Sequence, residues 1–216
     1  MTTLVIGNKN YSSWSLRPWL ALRAGGIAFD EKLIVLNQPD SKAKLLDASP
    51  AGLVPVLVTD GGLTVWDSLA IIEWAAEQAK VPLWPTDENA RAIARSVSAE
   101  MHSGFFPLRK HCPMNIRRIN AARERDEAVM KDAQRIDEIW SDCRKRFGAG
   151  GPYLFGAFSG ADCMYAPVVT RLRTYSLPVS DASKAYMDAV LNHPAFLEWE
   201  AAGKAEPWTN PNSEVD

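Results

Sequence analysis

The chain has 216 residues, 47% of them hydrophobic, enough to bury a sizeable core as one large or two small domains. Its net charge of −2 and pI near 6.0 exclude a strong electrostatic pull toward nucleic acid or an anionic membrane surface. No apolar run approaches the ~20 residues of a membrane span, and the start lacks the basic segment and apolar stretch of a signal peptide, so the expected location is the cytoplasm.

Leu4, Val5 and Ile6 predict a strand, and Leu16, Trp19 and Leu20 follow at helical spacing, with Ser12-Ser13-Trp14-Ser15 between them. A hydroxyl therefore stands where a strand hands over to a helix. The first turn of a helix has unpaired N–H groups and a positive dipole end. A serine there can cap the helix, or it can donate a hydrogen bond to a bound anion such as a thiolate. Ser49 to Val58 reads as a turn and then a strand entered through Val54-Pro55, an X-Pro bond of the kind that is often cis. Asp60-Gly61 predicts a hairpin into Leu63 to Trp66, and Asp67-Ser68 opens a second helical run through Ile71, Ile72 and Ala75. The order strand, helix, strand, short helix, strand, strand, helix is thioredoxin-like.

Val81 to Asp87 contains two prolines and no period, and reads as a linker ending at a helix cap. Beyond it every segment is helical. Ile93, Val97, Met101 and Phe105 predict one long helix from Ala90 to about Cys112, bent before Pro107, and Glu124 to Phe147 gives an amphipathic helix. Gly148 to Pro152 is a loop without the lysine of a phosphate cradle. Ser159-Gly160-Ala161-Asp162 is a capping box before Met164, Val168 and Leu172, and His193-Pro194 starts another helix. Cys112, Cys143 and Cys163 are odd in number and widely spaced, which predicts neither a disulfide framework nor a zinc site; three scattered histidines likewise predict no metal.

With these motifs the chain resembles the cytosolic glutathione S-transferases, nearest to the serine-type zeta and theta-like classes. The zeta helix opening Ser-Ser-Cys-Ser-Trp-Arg is similar to Ser12-Ser13-Trp14-Ser15-Leu16-Arg17, and the family's Val-Pro and (Glu/Gln)-Ser-Leu-Ala-Ile-Ile are matched by Val54-Pro55 and Asp67-Ser68-Leu69-Ala70-Ile71-Ile72. Ser159 to Asp162 and His193 to Trp199 match two further helix motifs, so the likeness spans the chain. It implies an α/β thioredoxin-like domain over 1–80, a linker over 81–89 and an all-α domain over 90–216. It also implies glutathione as co-substrate, no metal, and a two-fold homodimer.

Carried over by residue, the resemblance makes Ser12 the thiolate-activating hydroxyl with Ser13 its alternate, sets Val54 and Pro55 against the cysteinyl backbone, and gives the γ-glutamyl end to Asp67 and Ser68. Lys42 and Lys44 lie where the family meets the glycyl carboxylate. An electrophile would sit between Trp14 and the long helix, facing Met101, His102, Phe105 and Arg109. Arg17 is read first as pairing with a carboxylate between the domains, with a contribution of field near the thiolate as the alternative. Trp14 replaces the zeta cysteine, Leu53 replaces a polar residue, and the arginine of the zeta isomerases falls, counting from Pro167, near Thr174, with Arg171 and Arg173 out of phase. The reading is therefore a transferase that conjugates glutathione to a small electrophile. The alternatives are a glutathione-dependent isomerase of the maleylacetoacetate type and a non-catalytic interaction module.

Overall fold

A computed structural model describes residues 1–216. Strand β1 (Thr3–Ile6) leads through helix α1 (Ser13–Ala24) to β2 (Asp30–Leu33), and α2 (Ser41–Ala48) precedes β3 (Val56–Val58), β4 (Thr64–Trp66) and α3 (Ser68–Gln78). The four strands form one sheet in the order β2-β1-β3-β4. β1 pairs parallel with β2, as a strand reached through a crossover helix can, and antiparallel with β3, Leu4 facing Leu57. The Asp60-Gly61 turn closes the expected antiparallel hairpin, with Leu57 opposite Val65. Side chains on β1 alternate between two cores. Leu4 and Ile6 join the main apolar cluster under α1 and α3, and Val5 joins a small one with Ile34, Leu45 and Val56.

The rest is helical: α4 (Glu88–Ser103), α5 (Phe106–His111), α6 (Glu127–Phe147), α7 (Gly160–Thr174), α8 (Asp181–Leu191) and α9 (Pro194–Ala205). None of these helices is long and apolar enough to cross a membrane. The single helix expected from Ala90 to Cys112 is two helices, parted at Gly104 and at Phe105, whose φ is +58°. Pro107 lacks an N–H and its ring crowds the carbonyl one turn earlier, which disfavours a continuous helix there even though α1 and α7 run through Pro18 and Pro167. Gly104 permits the break, because a Cβ there would lie 2.8 Å from the Glu100 carbonyl. The amphipathic helix starts at Glu127, three residues later than Glu124.

Helix α7 is the central strut. All its residues but Arg173 are buried, and its start carries the predicted box: Asp162 Oδ2 accepts from Ser159 N and Ser159 Oγ, both at 2.8 Å. Helix α1 packs chiefly against α3 and α7, which sets its first turn between the sheet region and the helical region. One apolar cluster of 46 buried residues runs through both regions.

Candidate active site

The first turn of α1 is built from serines. Ser12 is its N-cap: its Oγ accepts from Ser15 N at 3.3 Å and donates to Ser15 Oγ at 2.8 Å. Ser15 Oγ also accepts from Gly7 N at 3.0 Å, which ties the helix start back to β1. The capping reading of Ser12 therefore holds, and its hydroxyl remains next to the dipole end of α1. Ser13 Oγ accepts from Arg171 Nη2 at 3.2 Å and donates to no protein group. No acidic side chain occupies this turn.

Beside it lies a cavity of about 200 Å³ lined by Trp14, Leu53, Val54, Pro55, Trp66, Asp67 and Ser68. Five of the predicted residues thus come together. The Val54–Pro55 peptide is cis, as expected. Asp67 caps α3, accepting from Leu69 N at 2.8 Å, with a backbone φ of +76° that an L residue holds at a cost of ~1 to 3 kcal/mol. That backbone turns the carboxylate toward α4, where His102 Nε2 lies 2.7 Å from Oδ2. Partial burial opposes the charge on Asp67, but the His102 contact and the Leu69 N–H outweigh it and hold the carboxyl below its usual range. Ser68 Oγ is fully buried at the cavity wall and has no partner.

Three guanidinium groups surround the same turn. Arg17 and Arg109 lie 4.3 and 4.7 Å from the Trp14 ring, and His102 meets its edge at 5.3 Å. Arg171 is fixed by Cys112 O at 2.9 Å and Pro167 O at 3.2 Å, and by Ser13. Burial, then the like charges of Arg171 and Arg109, pulls Arg17 down to about 9; burial and Arg109 pull Arg171 down to about 10. Burial lowers Arg109 as well. Asp67, already bonded to His102, is the one carboxylate whose charge registers at this cluster. The turn is therefore strongly electropositive, a place where an anion is stabilised.

The expectations for Arg17, Arg171, Met101 and Phe105 are corrected here. Arg17 does not pair with a carboxylate: it is 1% exposed, it stacks on Trp14, and its Nε and Nη1 have no partner. Arg171 is not out of phase. It stands one turn before Thr174 on the same face of α7 and touches Ser13. An arginine inside the largely apolar run Met164 to Leu172 was the available signal. Met101 is fully exposure-free in the main core, and Phe105 is buried with it, so neither borders the cavity. His102 and Arg109 do reach the site through Asp67 and Trp14. Lys42 and Lys44 are exposed on α2 outside the cavity wall; Lys44 pairs with Asp40 at 2.6 Å, and Lys42 Nζ lies against Gly52, two residues before Val54.

The four-stranded mixed sheet with its cis-proline, followed by an all-helical region, defines a thioredoxin-like fold with a helical second part. The chain belongs to the glutathione S-transferase family: residues 11–78 match the family model of the glutathione S-transferase N-terminal domain, and residues 119–202 that of the C-terminal domain. A probable maleylacetoacetate isomerase of Caenorhabditis elegans is 40% identical over 97 residues, 44% of each chain. The maleylacetoacetate isomerase of Rattus norvegicus is 26% identical over 94% of this chain and 91% of its own. Among solved structures, a glutathione transferase homolog from Burkholderia with bound glutathione superposes with a TM-score of 0.71 at 23% identity, covering 94% of this chain and 98% of that one.

Proposed function

We propose that this protein binds glutathione in the cavity between Trp14 and Asp67, holds its sulfur as a thiolate at the head of α1, and joins it to a small electrophile that carries a carboxylate. The observation that carries the reading is the group of three guanidiniums around a helix start that has no acidic side chain of its own. The Val54 backbone would pair with the cysteinyl segment, and Asp67 and the unpartnered Ser68 hydroxyl would take the γ-glutamyl end. Lys42 is the nearer of the two lysines for the glycyl carboxylate.

A thiol with a pKa near ~8.5 needs ~2.7 kcal/mol to be lowered by two units. A hydroxyl donating to an anion supplies ~1.5 to 3 kcal/mol and the helix end ~0.3 to 1. Ser12 gives that bond by turning its proton away from Ser15, which keeps Gly7 N as a partner. Ser13 is the second candidate, since its proton is free and Arg171 polarises its oxygen. The thiolate then adds to the electrophile, and Arg109 and Arg171 hold the carboxylate while charge develops.

Isomerisation is a second reading of the same site: the thiolate adds to a conjugated diacid, a bond rotates, and the thiolate leaves. The arginine cluster suits it, and both curated relatives above bear an isomerase name. Calorimetry of glutathione binding with the ultraviolet thiolate signal, on the native protein, Ser12→Ala and Ser13→Ala, tests the core of the proposal. Loss of the signal in Ser12→Ala alone supports the leading assignment, loss in Ser13→Ala alone moves the role to Ser13, and absence of glutathione binding would leave the non-catalytic module.

A further inference from the structure

The turn that delivers Ser12 is not held by its own neighbours alone. Ser12 N and Tyr11 N donate to Asn8 O, which closes the turn over residues 8–12. The remaining polar groups of that turn face outward, and nearly all are met by residues more than a hundred positions away. Lys9 N and Asn10 N donate to the two carboxylate oxygens of Glu206 at 2.7 and 3.1 Å. Lys9 O accepts from Trp199 Nε1 at 2.9 Å. The Asn10 side chain, fully buried, donates to Asn115 Oδ1 and accepts from Arg117 N, each at 3.0 Å. Tyr11 OH donates to Glu214 Oε1 at 2.5 Å and accepts from Arg117 Nη2 at 2.7 Å. Arg117 in turn donates to the carbonyls of Glu206 and Trp208, so the segment after α9, the 115–118 loop and the serine turn form one network.

We propose that Glu206 is a positioning residue for the active-site serines: the segment after α9 clamps the 8–11 turn in the one arrangement that presents Ser12 and Ser13 at the head of α1. This rests on the serine reading of the thiolate site. A carboxylate is the fitting group because two adjacent backbone N–H groups need two acceptors, and charge-assisted bonds are the stronger kind. Glutamine at 206 would put an N–H donor against one of those N–H groups. The turn would then loosen without any change in a group that touches glutathione.

The test follows the bound glutathione thiolate against pH, together with amide exchange over Lys9 to Ser13, in the native protein, Glu206→Gln, Tyr11→Phe and Ser180→Ala. Ser180→Ala is the control, because it removes the α8 cap far from the site at a comparable stability cost. Glu206→Gln is expected to raise the thiolate midpoint, cutting the thiolate fraction at neutral pH about three- to tenfold, and to speed exchange across the turn. Tyr11→Phe, which keeps the Glu206 bonds, shifts both in the same direction by less and serves if Glu206→Gln does not fold. Ser180→Ala leaves both at native values. A Glu206→Gln protein that melts earlier yet keeps the native midpoint and native exchange would reduce Glu206 to a structural residue and overturn the inference. A native protein with no thiolate signal sinks the serine reading instead, and the exchange data still decide whether Glu206 clamps the turn.

Discussion

Three helices in this molecule begin with a serine cap, α1, α7 and α8, and the first two are finished differently. At α7, Ser159 has its carboxylate built in: Asp162, three residues on, closes the box, and both are buried. At α1, Ser12 caps in the same way, but no acidic residue occupies the first turn, and Arg17, Arg109 and Arg171 stand around it. On the proposed reading, the same cap chemistry serves stability where the anion is part of the chain, and binding where the anion has to come from solution. The charge balance of the first turn is what separates the two.

The comparison breaks most visibly at Arg171. Arg171→Met should lower catalytic efficiency toward a carboxylate-bearing electrophile about 100-fold or more, while the dissociation constant for glutathione changes less than about threefold. Steady-state kinetics with the electrophile and its ester decide it, since the ester should be nearly indifferent to the substitution. Ser12→Ala comes next. Losing one hydrogen bond to the thiolate should reduce the thiolate population about 10- to 100-fold. Ser159→Ala should instead cost ~1 kcal/mol of stability, read from denaturant unfolding, with turnover per folded molecule unchanged.

The α7 side of the comparison also has a pH signature. Burial pushes Asp162 up to about 6, above its unfolded value of 3.8, against the opposing bonds from Leu154 N and Ser159. The folded state therefore binds this proton more tightly than the unfolded chain. Its contribution to stability is complete below the unfolded value and is lost as pH rises through about 6. Melting temperatures of Asp162→Asn should lack this slope between about pH 4 and 6, and an identical slope in both proteins would assign it to another group. The smallest effects are expected on α2. Lys42→Ala should weaken glutathione binding about threefold and Lys44→Ala less than twofold, because Lys44 is exposed and already paired with Asp40.

The sheet, the hairpin, the cis Val54–Pro55 bond and the α7 box were all legible in the sequence, because each is set by local chemistry: alternation on β1, Asp60-Gly61, an X-Pro pair and a four-residue cap. The wall of the cavity was legible for the same reason, since Val54, Pro55, Asp67 and Ser68 sit on short local motifs that meet there. The second side was read less well. Arg17 and Arg171 are assigned by how α1 packs on α7, a contact between residues more than 150 positions apart that no periodicity records. Met101 followed helical spacing toward the cleft and instead filled the core, the usual outcome for such a stripe. Glu206 carries no local signal at all, because its partners are backbone groups at the other end of the chain.

The most direct measurement crosses the two caps: Ser12→Ala and Ser159→Ala, each followed by thermal unfolding and by the ultraviolet thiolate signal of bound glutathione at neutral pH. Ser12→Ala should abolish most of the thiolate signal, and Ser159→Ala should lower the melting temperature and leave the signal intact. If Ser12→Ala loses only stability, with the thiolate signal unchanged in both it and Ser13→Ala, the head of α1 is a cap like that of α7 and the account is wrong.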